Sequence, residues 1–227
     1  VGKHIKVVRN RFAGAVFHTP EDIKNNVLKK MLASDGTDYI EISVWKVLFS
    51  LDIIRNHHLC FPDRKYLCED IIFDFDYYPL AKRVAMCDDT GYCYCFNETS
   101  LTQIYQKNKE QKIAFQVAEM AARASAIGFD ENAFIRIDNF YIGNLIHHIK
   151  TIASNAKKIG RKECLRSCKA ICNLENVRDI KWDKIKQCYR GKHRIPFLLF
   201  KNNQPILLFG YTYFLVKARS ILRKQWL

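Results

Sequence analysis

The sequence predicts an α+β fold that is predominantly helical, with a three-stranded antiparallel meander over residues 70–97 and a C-terminal apolar hairpin over residues 195–209. Three observations carry this reading. Apolar residues recur at helical spacing between capping residues in several stretches; aromatic and β-branched residues alternate around a "DDTG" turn; and Pro and Gly are scarce, 5 and 9 among 227 residues, with no low-complexity stretch, as in a compact globular chain. An apolar content of 48% suffices for one substantial core or for two small lobes that share an interface.

The elements follow in chain order. In "HTPEDIKNNVLKKMLASDG" Thr19 is an N-cap, Pro20 takes the first helical position, Glu21 and Asp22 the first turn, and Gly36 lies beyond the end. Its apolar face is Ile23, Val27, Leu28, Met31 and Leu32. "YIEISVWKVLFSLDII" opens with strand-like alternation and shifts to helical spacing at Val44, Val47, Leu48 and Leu51, so it is read as mainly helix, followed by a loop, "NHHLCFPDRK". "EDIIFDFDYYPLAKRVAMCDDTGYCYCFN" supplies the meander. Ser100 opens a long helical region closed by Gly128, and Asp138 or Asn139 caps a further helix that carries Ile142, Leu145, Ile146, Ile149 and Ile152 inside. Three helices or helical turns fill residues 160–190. "RIPFLLFKNNQPILLFG" gives the second hairpin, around "KNNQ", and "YTYFLVKARSILRKQW" a closing helix. Both strands of that hairpin are apolar on both faces, which calls for cover from the core on one side and from another layer or a partner subunit on the other.

No stretch reaches 18 apolar residues, and "VGKHIKVVRNRF" has neither an apolar run nor a cleavage site of small residues, so the sequence predicts no transmembrane segment and an intracellular setting, nucleus or cytoplasm. Nine cysteines in such a setting stay reduced, and the sequon at Asn97–Thr99 is then chance. The abundance of Asn, Lys, Ile, Phe and Tyr fits an AT-rich genome such as that of a DNA virus, which would place the protein in a host cell.

Charge divides the chain. Residues 1–156 hold 19 Lys or Arg against 19 Asp or Glu, whereas residues 157–227 hold 18 against 4. The expected organisation is a charge-neutral α+β lobe over 1–156 and a strongly basic helical region with the hairpin and closing helix over 157–227, within one compact unit. The formal net charge of +14 thus resides in the last third.

The cysteines offer two groups. Cys164, Cys168 and Cys172 fall on one helical stripe beside Leu165 and Ile171; strung along about 12 Å of helix, they cannot meet at one ion, and small core residues is the better reading. Arg161, Lys162, Arg166 and Lys169 then form the outer face of that helix. The second group comprises His57, His58, Cys60 and Cys68, with Cys87, Cys93 and Cys95 around the "DDTG" turn. From it His58, Cys60, Cys87 and Cys93 are the candidate ligands of a structural zinc, although no spacing matches a zinc ribbon or finger; core cysteines and a solvated His pair are the alternative. His18, His147 and His148 have no sequence neighbour that would make a nucleophile–base pair.

As a strand, "IIFDFDYY" sets Asp74 and Asp76 on one face, about 7 Å apart. Adjacent carboxylates of this kind hold the Mg or Mn ions of phosphoryl transfer, with Asp70 or Asp138 as a third acid. Apolar residues followed by Asp-x-Asp resemble the first motif of archaeo-eukaryotic primases and related polymerases, and Asp138, closing "FIRID", resembles their later acid. That resemblance implies a nuclease or nucleotidyltransferase using Asp74, Asp76 and Asp138. It spans a short stretch, with no small-x-His motif between the acids, since no His lies between positions 59 and 146.

The basic third carries the first functional expectation. From Lys157 to Arg194 there are 13 Lys or Arg and 4 acids, with Trp182, Tyr189, Phe197 and Phe200 within or just after them. Cations neutralise phosphates and aromatic faces stack on bases. The expected partner is DNA or RNA, bound through non-specific phosphate contacts by Arg161, Lys162, Arg166, Lys169, Arg178, Lys181, Lys184, Arg190, Lys192 and Arg194, with Gly191 in "YRGKHR" admitting a phosphate to the backbone. Two other classes stay open: the phosphoryl-transfer enzyme above, and a structural or virion component that pairs as a homo-oligomer or with an acidic protein partner.

Overall fold

The computed structural model describes residues 7, 9–32, 39–41, 43–62, 69–89, 91–93, 95 and 105–224, the last five of these in backbone only. The fold is predominantly helical. Two short antiparallel strands, β1 (Val16–Phe17) and β2 (Val84–Ala85), pair Val16 with Ala85 and Phe17 with Val84. Between them lie α1 (Pro20–Ile23), a π-helical segment (Lys24–Leu28) that leads into α2 (Lys29–Met31), α3 (Leu51–Asn56) and α4 (Glu69–Tyr77). Thr19 caps α1 as its sequence requires, its hydroxyl accepting from the Asp22 N–H at 3.1 Å. Among the described residues of the second apolar segment the α-helix begins at Leu51, as part of α3, and Val44–Lys46 makes a 3₁₀ turn.

Two long helices form the spine, α5 (Lys109–Ala126) and α6 (Glu131–Ser154). Gly128, at φ +67°, takes the left-handed conformation that reverses the chain between them. Asp130 caps α6, its carboxylate accepting from the Ala133 N–H at 3.0 Å. The cap expected at Asp138 or Asn139 is instead the middle of this helix. The antiparallel spine serves two cores. Met120, Ala124, Ala133 and Ile137, near the reversal, pack with Ile23, Leu28, Ile71, Phe73 and Phe75. Ile113 and the stretch from Tyr141 to Ala153 pack with the C-terminal helices. Those are α7 (Ala156–Ile159), α8 (Arg161–Cys172), α9 (Trp182–Ile185), α10 (Arg194–Lys201) and α11 (Pro205–Lys224).

Among the described residues the expected three-stranded meander is not found. Glu69–Tyr77 is helical and buries Ile71, Ile72, Phe73, Asp74, Phe75 and Tyr77. A nine-residue element with core on both sides reads alike at a period of 2 and of 3.6, which is why its alternation misled. Cys68, Ser100 and the sequon lie outside the described residues, as does Gly36. The apolar hairpin at 195–209 is likewise two helices, α10 and α11. Its turn is correctly placed: Asn203, at φ +49°, reverses the chain. Among the described residues no helix is long and apolar enough to cross a membrane.

Candidate nucleic-acid interface

Helix α8 separates its two chemistries as the sequence predicts. Cys164, Cys168, Ile171 and Cys172 are buried, and Arg161, Lys162, Arg166 and Lys169 are exposed. Burial pushes the Cys168 thiol up to about 12, with the neighbouring Cys172 and Cys164 adding to it, so these cysteines are inert core residues. After α8 the chain runs through short helical turns that present Arg178, Lys181, Lys184, Arg190, Lys192 and Arg194 to solvent. All ten predicted cations are therefore exposed.

Their electrostatic states differ. Arg166 forms a bidentate pair with Glu163, at 2.8 and 2.6 Å. Lys181 and Lys184 both reach one carboxylate oxygen of Glu131, at 2.9 and 2.6 Å, and hold that carboxyl down at about 2. Arg161, Lys162, Lys169, Arg178, Arg190, Lys192 and Arg194 form no ion pair among the described residues. Gly191, at φ +53°, has open space where a Cβ would stand.

The aromatics do not form a stacking platform. Phe197 and Phe200 are buried; Tyr189 stacks on Phe197 with ring centroids 4.3 Å apart and donates to the Asn139 carbonyl at 3.2 Å. Trp182 packs against both phenylalanines. They anchor the basic loops to the core, and of the aromatic and basic groups in this segment the cations are the ones that face outward, beside the exposed Glu175, Asp179 and Asp183.

The predicted acids are dispersed. Two positions apart on a helix, Asp74 and Asp76 point about 200° from one another rather than to one face. Asp76 is clamped by Arg123, at 2.8 Å, and the same guanidinium holds Glu119 at 2.7 Å. Asp74 is fully buried, and neither of its oxygens has a hydrogen-bond partner. Burial raises its carboxyl to about 7, helped by the charge of Asp70 one turn earlier and opposed by Lys46. Asp70 itself accepts from the Val44 N–H at 3.2 Å. Asp138 sits on α6 and accepts from the Lys181 N–H at 3.3 Å. The helix thus keeps Asp70 and Asp74 on one side, as a strand would, and separates Asp76 from them.

His58, Cys60, Cys87 and Cys93 are all exposed. Among the described residues no three His, Cys, Asp or Glu side chains converge as a metal site. Two features escaped the sequence reading. His148 Nε2 lies 3.4 Å from Glu110 Oε2 in the interior, a pair made by antiparallel packing of α5 on α6 and separated by 38 positions in sequence. Lys157, Lys158 and Lys217 line a cleft of about 190 Å³ with Ser154, Asn155 and Tyr213; only the excess of lysine in this region foreshadowed it. No protein-family model matches the chain, and neither does any curated protein or solved structure.

Proposed function

We propose that the chain binds nucleic acid through non-specific phosphate contacts along the exposed face of α8 and the turns from Arg178 to Arg194. The observation that carries this reading is the exposure of all ten cations together with the absence, among the described residues, of a carboxylate partner for seven of them. Solvated protein surfaces ordinarily mix signs, and a run of unneutralised cations leaves phosphates as the complementary chemistry. Fluorescence anisotropy of labelled single-stranded and duplex DNA and RNA at two salt concentrations tests it. Affinity should fall steeply with salt and weaken uniformly over sequences when Arg161, Lys162 and Lys169 become Ala; binding indifferent to salt would remove the reading.

A second reading, metal-dependent phosphoryl transfer, draws on α4. Asp74 has two oxygens without a partner and Asp70 on the same side of the helix, a carboxylate pair with spare donor capacity toward Mg²⁺ or Mn²⁺. Asp76, held by Arg123, lacks that capacity. Asp74→Asn should abolish Mn²⁺-dependent shortening or extension of the probe and leave probe binding intact. A wild-type chain that yields no such product excludes catalysis at this helix.

A further inference from the structure

Solvent meets an apolar surface on the outer side of α11. Ile206, Leu207 and Phe214 are 59, 59 and 67% exposed, and Gly210 is exposed with them. At 100° per residue, positions 206, 207, 210 and 214 share an arc of about 100°. The opposite side, with Leu208, Phe209 and Thr212, is buried. From Pro205 to Val216 the helix carries no charge at all, so it is apolar in both directions. Helices of that kind are covered on all sides, and a contiguous exposed apolar patch marks an interaction site.

Charge decides what covers it. No Asp or Glu follows Asp183 in the sequence. Lys217 stands one turn beyond Phe214 at the margin of the patch, with Lys157 and Lys158 across the shared cleft, and none of the three is ion-paired among the described residues. Two copies set face to face would bring these lysines together without a counter-charge. A phosphate backbone would satisfy the lysines and leave Ile206, Leu207 and Phe214 wet. The complement is an apolar ridge bordered by carboxylates. Gly210 adds a shape: a Cβ there would meet nothing within 4 Å, so the row from Ile206 to Phe214 has a notch at its middle. A notch accepts one protruding side chain, which a helix supplies at fixed spacing and fluid lipid does not.

We infer that this face docks an acidic amphipathic helix of a protein partner. Its apolar side lies on Ile206, Leu207 and Phe214 with one side chain over Gly210, and its Asp or Glu residues meet Lys157, Lys158 and Lys217. The row from 206 to 214 runs about 12 Å along the axis, so two to three turns of partner helix engage it.

A displayed library of helical peptides, selected on the 227-residue chain and counter-selected on a chain carrying Ile206→Ser and Phe214→Ser, tests the inference. Enriched peptides should show apolar residues at i, i+3, i+4 and i+7 with Asp or Glu beside them. The synthetic form of the most enriched peptide should bind wild type and lose about tenfold or more in affinity to Phe214→Ser, as for an anchor residue. Gly210→Leu fills the notch while keeping the face apolar and should also block binding; Lys157→Glu with Lys217→Glu should weaken it. These side chains are exposed, so an unchanged circular dichroism spectrum and melting temperature show that loss comes from the face. No enrichment over the counter-selection, or enrichment of basic peptides, overturns the inference. So does sedimentation with phosphatidylserine vesicles, or concentration-dependent dimerisation, that disappears in the same variants. Arg161, Lys162 and Lys169 are untouched throughout, so nucleic-acid binding succeeds or fails separately.

Discussion

Asp74 is the residue at which sequence and fold disagree most, and it sets a pH response. A carboxyl raised from 3.8 to about 7 in the folded state holds a proton there that the unfolded chain has already released. Stability is then complete below the unfolded value near pH 4 and declines as pH rises through 7. At about 1.4 kcal/mol per unit, the full span corresponds to about 4 kcal/mol. Asp74→Asn removes the ionising group at nearly constant volume, so thermal melts should show a higher midpoint than wild type at pH 8 and little difference at pH 4. Parallel pH dependence in the two proteins would mean that the carboxyl is solvated. The sequence contained this aspartate but not its environment: "IIFDFDYY" alternates well enough to place Asp74 and Asp76 together on a strand. A helix sends one into the core and the other to Arg123, a partner 47 positions away that local pattern cannot supply.

Among the elements, helix limits with a chemical signature were legible. Thr19 and Pro20 mark a start, Gly128 a stop, and "KNNQ" a reversal, because caps and turns are local. The stretch 195–209, which is α10 and the start of α11, reads as strand because apolar residues on all sides leave no period to measure and only length separates strand from helix, whereas the rest of α11 is the closing helix that the sequence predicts. Asp130 shows what a correct start contributes. It caps α6 and also accepts an ion pair from Lys29 at 2.7 Å, fastening the spine to α2. The Lys29 ammonium holds its carboxyl below the ordinary range, with the Ala133 N–H helping. Asp130→Ala should cost about 1 kcal/mol by loss of the cap. Asp130→Asn, which keeps an accepting oxygen, should cost less, and urea denaturation of the two variants separates cap from charge. Equal losses would assign the stabilisation to the ion pair instead.

At the scale of the whole molecule the segregation of charge was fully legible, since composition needs no fold, but the pairing state of each cation was not. The fold lays the N-terminus of α6 beside α9 and thereby gives two lysines of the basic third to one acid of the neutral two-thirds, Glu131. That exchange has a measurable consequence for the proposed binding. A lysine held at 2.6 or 2.9 Å on a carboxylate must leave it to reach a phosphate, so Lys181 and Lys184 contribute less to binding than Lys162 and Lys169, which have no such partner among the described residues. Glu131→Gln removes the competing charge without touching a cation. Duplex affinity should then rise, and the slope of log K against log salt should steepen by up to about 2, as two more phosphate contacts form. Lys162→Gln with Lys169→Gln should flatten the slope by a similar amount. If Glu131→Gln left affinity and slope unchanged, α9 would lie outside the contact surface, and the interface would contract to α8 and the turn from Arg190 to Arg194.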